Sequence, residues 1–399
     1  MRIFEINSGN YGSTGNIMLN VAETAQNAGH EVLVAFRKSR SVTPTGKSNE
    51  VLIGNSFFGL THRIIGEYLG LEGFGSIFST LKLVKEIKAF KPDVVHLHIL
   101  HGWYVNFPIL FNCLKNMDVP VVWTMHDCWA FTGHCPHFEY IKCNKWQSGC
   151  FNCPQYRDYP DSRLDTSKIL YKYKKKYFTN INNLIIVTPS EWLSALIKNS
   201  YFSTNTVKVI NNGIDLSVFK PTKSNFRELN NISDDQFLIL GIAFEWTTKK
   251  GIDVFKRLAN DLPEKFKIAL IGTTEEIEND LPKNIIAIRR TENKEELASI
   301  YSAADLFVNP TREETFPTVN IESLACGTPV LTFKTGGSPE IIDENCGAVV
   351  ECDDYEALRT EINRISTKKP FNEQDCLDRA KQFNMYEKFK EYVSLYENL

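Results

Sequence analysis

At 399 residues with an apolar fraction of 43%, the chain is long enough for two domains of ordinary size, each with its own core. A formal net charge of −3 gives no sign of a nucleic-acid binder, which carries a clustered basic surface, and no apolar run approaches the roughly 20 residues that cross a bilayer. Ten cysteines accompany an N-terminus that turns polar by Arg2 and Glu5, too early for a secretory leader, so reduced thiols in a cytosolic enzyme are expected.

The first half alternates short β-branched runs with amphipathic stretches. Residues 2–6 read as a strand, followed by the turn Asn10-Tyr11-Gly12-Ser13-Thr14-Gly15-Asn16 and by helical spacing of apolar residues from 17 to 28. The glycines let main-chain amides face a diphosphate, with either Gly12 or Gly15 making the close contact. The third glycine of a dinucleotide fingerprint is missing, which leaves an oxidoreductase poorly supported. Further strands are expected at 31–35, 92–98, 119–126 and 184–188, and strands alternating with helices predict a doubly wound parallel sheet. Histidines gather at two strand ends: His96, His98 and His101 at one, His126 beside Asp127 at the other. Strand alternation puts His96 and His98 on one face, with His98 nearer the carboxyl end. For any one of them the plainer reading is a satisfied core histidine.

Half of the ten cysteines, namely Cys128, Cys135, Cys143, Cys150 and Cys153, crowd an insertion at about 127–160. Their spacing selects Cys135, Cys143, Cys150 and Cys153 as ligands of a structural zinc, against the alternative of reduced thiols acting as small hydrophobes. Residues 167–178 are basic with interleaved aromatics. That composition suits either anionic lipid headgroups or a solvated helix face.

A second α/β series runs through 207–210, 237–241, 267–272, 285–288, 306–308 and 329–333. It places domain boundaries at 1–205 and 206–384, with a final helix over 385–399. After the strand at 237–241, Lys250 beside Gly251 is a flexible point charge suited to a leaving diphosphate, with Lys249 next to it; the alternative is an exposed lysine pair opening a helix. In Thr335-Gly336-Gly337-Ser338-Pro339-Glu340, Ser338 is placed to cap a helix whose free amides, near Gly337, attract phosphate or sugar oxygens. Glu314 and Glu322 stand eight positions apart. With a helix starting near Thr318, Glu322 lies along it and Glu314 sits in the loop at its mouth, so the two grip different ends of one elongated, hydroxyl-rich ligand. An isolated pair would read as a solvated helix face. The flanking Phe316-Pro317 and Ala325-Cys326-Gly327-Thr328-Pro329-Val330 reverse that preference.

On those residues the chain resembles the Glu-x7-Glu signature of retaining glycosyltransferases of family four. The resemblance implies the GT-B architecture: two Rossmann-like domains facing across a cleft, with the last helix crossing back to the N-terminal domain. It implies that Glu314, flanked by Thr315 and Phe316, holds donor-sugar hydroxyls and that Glu322 holds the nucleotide ribose. The segment around Lys250 is similar to the family's basic Arg…Lys-Gly element, but Phe244 or Glu245 stands where arginine is usual, leaving Lys249 to supply the second charge. Residues 336–340 resemble the Gly-Gly-x-x-Glu segment, and 10–16 the Gly-rich first loop. The match to a His-x-His segment makes His98 the contact near the anomeric centre; with Glu314 and Lys250 it forms the catalytic set. His126 lines the same cleft, and Asp127 either fixes its tautomer or meets the acceptor. The family more often has Gly-Phe-Gly after the first Glu; Pro317 removes one backbone donor here.

The implied activity is hexosyl transfer with retention, from a nucleotide diphosphate sugar to a glycan or lipid-linked glycan in bacterial surface polysaccharide biosynthesis, in the cytoplasm or at the inner face of the membrane. No catalytic metal is required, because Lys250 and helix termini take the place of a divalent ion. The rival readings are a nucleotide-sugar epimerase of the same shape and a non-catalytic sugar-nucleotide-binding partner protein; intact Glu314, Glu322, Lys250 and His98 argue against the second.

Overall fold

The computed structural model describes residues 1–38 and 49–399. The chain divides into two compact units, Met1–Asn211 with Lys388–Leu399, and Asn212–Glu387.

In the first unit, seven strands form one parallel sheet: β1 (Arg2–Asn7), β2 (Glu31–Arg37), β3 (Glu50–Ile53), β4 (Val94–Leu97), β5 (Val121–Thr124), β6 (Leu184–Thr188) and β7 (Thr206–Val209), in the order β3-β2-β1-β4-β5-β6-β7. The central strands β4 and β5 are buried at every position, as sheets covered on both faces require. Among the described residues of 1–211 the sheet is accompanied by α1 (Gly12–Asn27), α2 (Ser56–Leu69), α3 (Ile77–Phe90), α4 (Phe107–Lys115), α5 (Ser167–Phe178) and α6 (Glu191–Lys198). In α1, Ile17, Met18, Val21, Ala22 and Ala25 form the apolar stripe that is buried. The order of strands reverses between β1 and β4, the point at which parallel sheets open a crevice at their carboxyl ends.

The second unit has a six-stranded parallel sheet of β8 (Phe237–Ile242), β9 (Phe266–Ile271), β10 (Ile285–Ile288), β11 (Leu306–Asn309), β12 (Val330–Phe333) and β13 (Gly347–Val350), ordered β10-β9-β8-β11-β12-β13. Its helices are α7 (Phe226–Leu229), α8 (Ile252–Asp261), α9 (Glu275–Asn279), α10 (Lys294–Ala303), α11 (Thr318–Ala325), α12 (Ser338–Ile341), α13 (Tyr355–Lys368) and α14 (Glu373–Lys381); α15 (Met385–Glu397) follows. Here the order reverses between β8 and β11.

The run at 207–210 does not open the second series. As β7 it pairs with β6 at the edge of the first sheet, and the chain passes to the second unit after Asn211. Nothing in a short β-branched run says which sheet it joins; the pairing is a tertiary choice. Helix α1 starts at Gly12, five residues before the first apolar position that marked it. From Lys388 onward α15 belongs to the first unit, where Phe389, Tyr392 and Tyr396 are fully buried.

Candidate active site

In the second unit the candidate residues sit on the loops that leave β8 and β11, at the reversal point of the sheet. Lys250 Nζ lies 2.9 Å from a carboxylate oxygen of Glu314, and Lys249 Nζ lies 3.1 Å from Glu313. Arg312 anchors the two loops together: its guanidinium grips Asp253 with two contacts of 2.8 Å and Asp353 with one of 2.5 Å, and also donates to the Thr248 carbonyl. A bidentate guanidinium is a rigid clamp where a lysine would be a loose one. Behind it, Asn309 donates to Asn320 at 2.8 Å and fixes the start of α11.

Glycine is required at two points of this framework. A Cβ on Gly251, at φ +79°, would meet the Pro310 carbonyl oxygen at 2.6 Å, and one on Gly336, at φ +54°, would meet the Glu314 carbonyl oxygen at 1.6 Å. The Gly336 backbone therefore presses directly on the acid-bearing loop. Gly337 has a different role from the expected one: its amide donates to Thr315 at 3.0 Å and is spent inside the protein. Ser338 makes no cap, because Gly337 occupies the N-cap position; α12 is a single turn, and the Ser338 hydroxyl is buried without a hydrogen-bond partner. Phe316 is a core residue, 3% exposed with its ring against Phe383, so it offers no surface to a ligand. Thr315 is buried, its amide turned back to the Glu314 carboxylate at 3.1 Å.

Glu322 is half-buried on α11 and accepts from the Tyr301 hydroxyl at 3.1 Å. Loss of water raises its carboxyl to about 7, against the opposing pull of Tyr301 and Lys294. Phe244, where the resemblance expects an arginine, projects into solvent at 95% exposure.

The first unit gathers its histidines where β1 and β4 part. His96 and His98 do share one face, their rings 4.1 Å apart. His96 is held by the Thr124 hydroxyl at 2.8 Å and the Tyr396 hydroxyl at 2.7 Å. His98 Nδ1 meets His126 Nε2 at 3.1 Å, while its other nitrogen points at the Glu5 carboxylate, 3.6 Å away. Both Glu5 oxygens are buried without a hydrogen bond, and burial raises its carboxyl well above the ordinary range. Burial likewise lowers His96 to about 3, His126 to about 4 and His98 well below its usual value, so these rings are neutral at pH 7. Among the described residues, Glu5, His96 and His98 form the single group of three or more metal-ligating side chains whose donor atoms lie within 4.8 Å of one another. His98 itself is only 1% exposed, and His126 lies stacked over it.

Asp127 does not orient His126 as its first partner. Its carboxylate grips His101 at 2.7 Å and accepts from the Trp129 amide at 2.8 Å. Burial alone would raise Asp127, but His101 outweighs it and holds the acid at about 2; in return His101 is raised. Composition near these histidines did not reveal three further members. The Tyr159 hydroxyl is 2.9 Å from His101. Glu72, 5% exposed, accepts from the Gly102 amide at 2.8 Å and the Trp129 indole at 3.2 Å. Lys174, fully buried, donates to the Trp129 carbonyl at 2.8 Å and lies 3.5 Å from that ring's centre; burial lowers it to about 7 against the pull of Glu72. A lone acid in Leu71-Glu72-Gly73-Phe74-Gly75 was the available signal for Glu72.

The two glycines of the first loop separate cleanly. Gly12 is exposed at φ +69° with nothing near its Cβ position, whereas a Cβ on Gly15 would strike the Asn10 backbone at 2.7 Å. Gly12 is thus open to a ligand and Gly15 serves the turn.

Cys135, Cys143, Cys150 and Cys153 line one small cavity with His134 and Trp146. The Cys135 and Cys153 thiols share a hydrogen bond, and Cys150 Sγ accepts from the Gly133 amide at 3.1 Å. No three of the sulfurs come within 4.8 Å of one another.

Comparison with known proteins assigns the fold and its family. Residues 14–218, just over half of the chain, match the family described as Glycosyltransferase Family 4, and residues 223–383 match Glycosyl transferases group 1. The chain belongs to glycosyltransferase family 4. It is 24% identical over 323 residues to the putative colanic acid biosynthesis glycosyl transferase WcaC of Escherichia coli (strain K12), covering 77% of each chain. It is 28% identical over 222 residues to the Escherichia coli O-antigen biosynthesis glycosyltransferase WclY, covering 47% of this chain and 62% of that one. Among solved structures, sucrose-phosphate synthase from Thermosynechococcus elongatus superposes with a TM-score of 0.73 at 18% identity, covering 100% and 98% of the two chains. Anabaena HepE in complex with UDP and glucose gives 0.70 at 15%, covering 100% of both. The fold is GT-B, built from two Rossmann-like domains, and the protein is a glycosyltransferase. No described helix is long and apolar enough to cross a membrane.

Proposed function

We propose that this glycosyltransferase moves a hexosyl unit, with retention of configuration, from a nucleotide diphosphate sugar to a glycan or lipid-linked glycan acceptor. The observation that carries the reading is the Lys250–Glu314 pair at the reversal point of the second sheet, 2.9 Å apart. A cation for the departing diphosphate and an acid for sugar hydroxyls are needed next to each other, because those two parts of a donor are joined by one bond. Lys249 adds charge on the diphosphate side, Glu322 takes the ribose, and Gly12 offers main-chain amides. One structural relative, Anabaena HepE, was solved in complex with UDP and glucose, which favours a donor of this class.

On the acceptor side His126 makes the sugar contact and His98 is a positioning residue behind it, since His98 is enclosed by Glu5, His96 and His126. Asp127, held ionised by His101, meets acceptor hydroxyls. With no carboxylate assigned as nucleophile, the leaving diphosphate takes the acceptor proton in a front-face displacement. A structural zinc is part of this reading; Cys135, Cys143, Cys150 and Cys153 would hold it as thiolates, the shared cavity supports that set, and the ion would staple the insertion.

The test is incubation of the purified protein with a panel of nucleotide diphosphate sugars, following nucleotide diphosphate release and product configuration. Release that Glu314→Gln abolishes is the expected result. Interconversion of the donor sugar with no acceptor would replace transfer by epimerisation, and no turnover of any donor would favour a binding protein.

A further inference from the structure

Arg37 is the last residue of β2, at the carboxyl edge of the first sheet, and it is half-buried. Its Nη1 donates to the Gly102 carbonyl at 2.9 Å, and its Nε is buried without an acceptor. Among the described residues no carboxylate pairs with it. The acids of the neighbouring cluster are committed elsewhere: Asp127 to His101 and the Trp129 amide, Glu72 to the Gly102 amide and the Trp129 indole. With Asp127 answered by His101 and Glu72 by Lys174, the cluster balances, and Arg37 adds one positive charge that it leaves over. A guanidinium cannot shed that charge by losing a proton, as a lysine or histidine can.

The loop after β4 is shaped around this cation. Gly102 at φ +104° and Trp103 at φ +60° follow one another, and a tryptophan takes such a backbone only where its surroundings impose it. Arg37 holds the Gly102 carbonyl and Glu72 its amide, so the peptides on both sides of Gly102 are pinned. A Cβ at Gly102 would stand 3.5 Å from the Tyr159 hydroxyl and 3.8 Å from Ser8, so the missing side chain leaves room beside that hydroxyl. The Tyr159 ring is wedged between those of His101 and Trp103, at 5.5 and 5.6 Å, yet the residue is 46% exposed. Burial opposes charge on His101, but Asp127 and Glu72 raise it, and the doubly protonated ring donates to Asp127 at 2.7 Å and to the Tyr159 oxygen at 2.9 Å. The Tyr159 proton is then turned away from His101, as a donor to whatever lies beside Gly102.

We infer that Arg37 and Tyr159, meeting across Gly102, form a subsite for a carboxylate carried by the acceptor, which makes that acceptor a glycan containing a uronic acid. The inference deepens the acceptor side of the function proposed above and rests on it. A carboxylate brings one negative charge to the one surplus cation, and the Tyr159 proton serves its second oxygen. A phosphate monoester, at about −1.5 to −2, would leave negative charge over beside Asp127 and Glu72. A neutral sugar would leave the guanidinium unanswered.

The experiment is calorimetric titration of the full chain with methyl pyranosides of gluco, galacto and manno configuration, each uronide set beside its neutral hexoside and the hexoside 6-phosphate. At least one uronide should bind at least tenfold more tightly than its neutral parent and more tightly than the phosphate, with the preference shrinking as salt is added. Arg37→Gln should erase that preference, Arg37→Lys should keep part of it, and Tyr159→Phe should reduce it several-fold. The tyrosine variant keeps the test decisive should Arg37→Gln fold poorly. Uronides bound no better than their parents in any configuration, phosphates bound more tightly than uronides, or a preference indifferent to Arg37→Gln and Tyr159→Phe would each overturn the inference. Donor hydrolysis by the wild type without acceptor, followed in parallel, separates the two readings: turnover with no uronide preference removes this subsite alone, and a uronide preference with no turnover of any donor removes the transfer reading while the subsite stands.

Discussion

The two domains build their polar clusters in opposite ways. The second domain uses ion pairs at the half-exposed ends of β8 and β11, with Lys250 against Glu314 and Lys249 against Glu313. The first buries Glu5, His96, His98 and His126 together and keeps the rings neutral by withholding water. Charged pairs near solvent exchange partners at little cost, which suits a site where a ligand replaces one partner. Buried neutral groups hold their geometry but are vulnerable to any added charge. The first kind of cluster can be opened by a ligand, and the second holds its geometry.

The sharpest way to break that contrast is Glu314→Gln, which should lower transfer at least a hundredfold with the thermal midpoint within a few degrees of wild type. Undiminished turnover would remove the ion pair from the chemistry. Next in size is Gly336→Ala: the added methyl meets the Glu314 carbonyl, so the loop must shift, and donor affinity measured by calorimetry should fall more than tenfold.

Acid should separate the domains more gently. A histidine lowered from 6.5 to about 4 contributes stability that is fully present above pH 6.5 and lost as pH falls through that interval, on the order of 3 kcal/mol for a fully buried ring. The raised Glu5 carboxyl acts in the opposite direction, favouring the fold as pH falls. With three rings against one acid, hydrogen exchange should show β4 and β5 opening first between pH 6 and 4, and His96→Gln should reduce that dependence. The smallest effect belongs to Glu322. Held at about 7, it should tighten donor binding as pH rises from 6 to 8, and Glu322→Gln should flatten the profile.

Legibility in the sequence follows the same divide. The second-domain cluster could be read because its members lie within short, local segments whose glycines, proline and acids constrain one another. Even there the structure packs Phe316 on Phe383 and turns the Gly337 amide to the Thr315 carbonyl, since a motif gives the spacing of residues but not whether the core or a neighbouring carbonyl already occupies them. In the first domain, His101 reaches Tyr159 58 positions on, and Glu72 reaches Trp129 57 positions on. Those meetings are set by which strands pair and which loops cross, and no local pattern records them. The run at 207–210 joins the first sheet and not the second for the same reason.

The position of Tyr392 and Tyr396 has a consequence for how the molecule is made. These residues seal His96 from beneath, through the Tyr396 hydroxyl and the Thr124–Tyr392 contact, yet they are synthesised after the whole second sheet. The domain translated first must therefore wait, with its imidazoles still wet, until the segment from Lys388 to Leu399 has left the ribosome. Ribosome-stalled chains ending before residue 388 should protect β8 to β13 from protease while β4 and β5 remain open to cleavage.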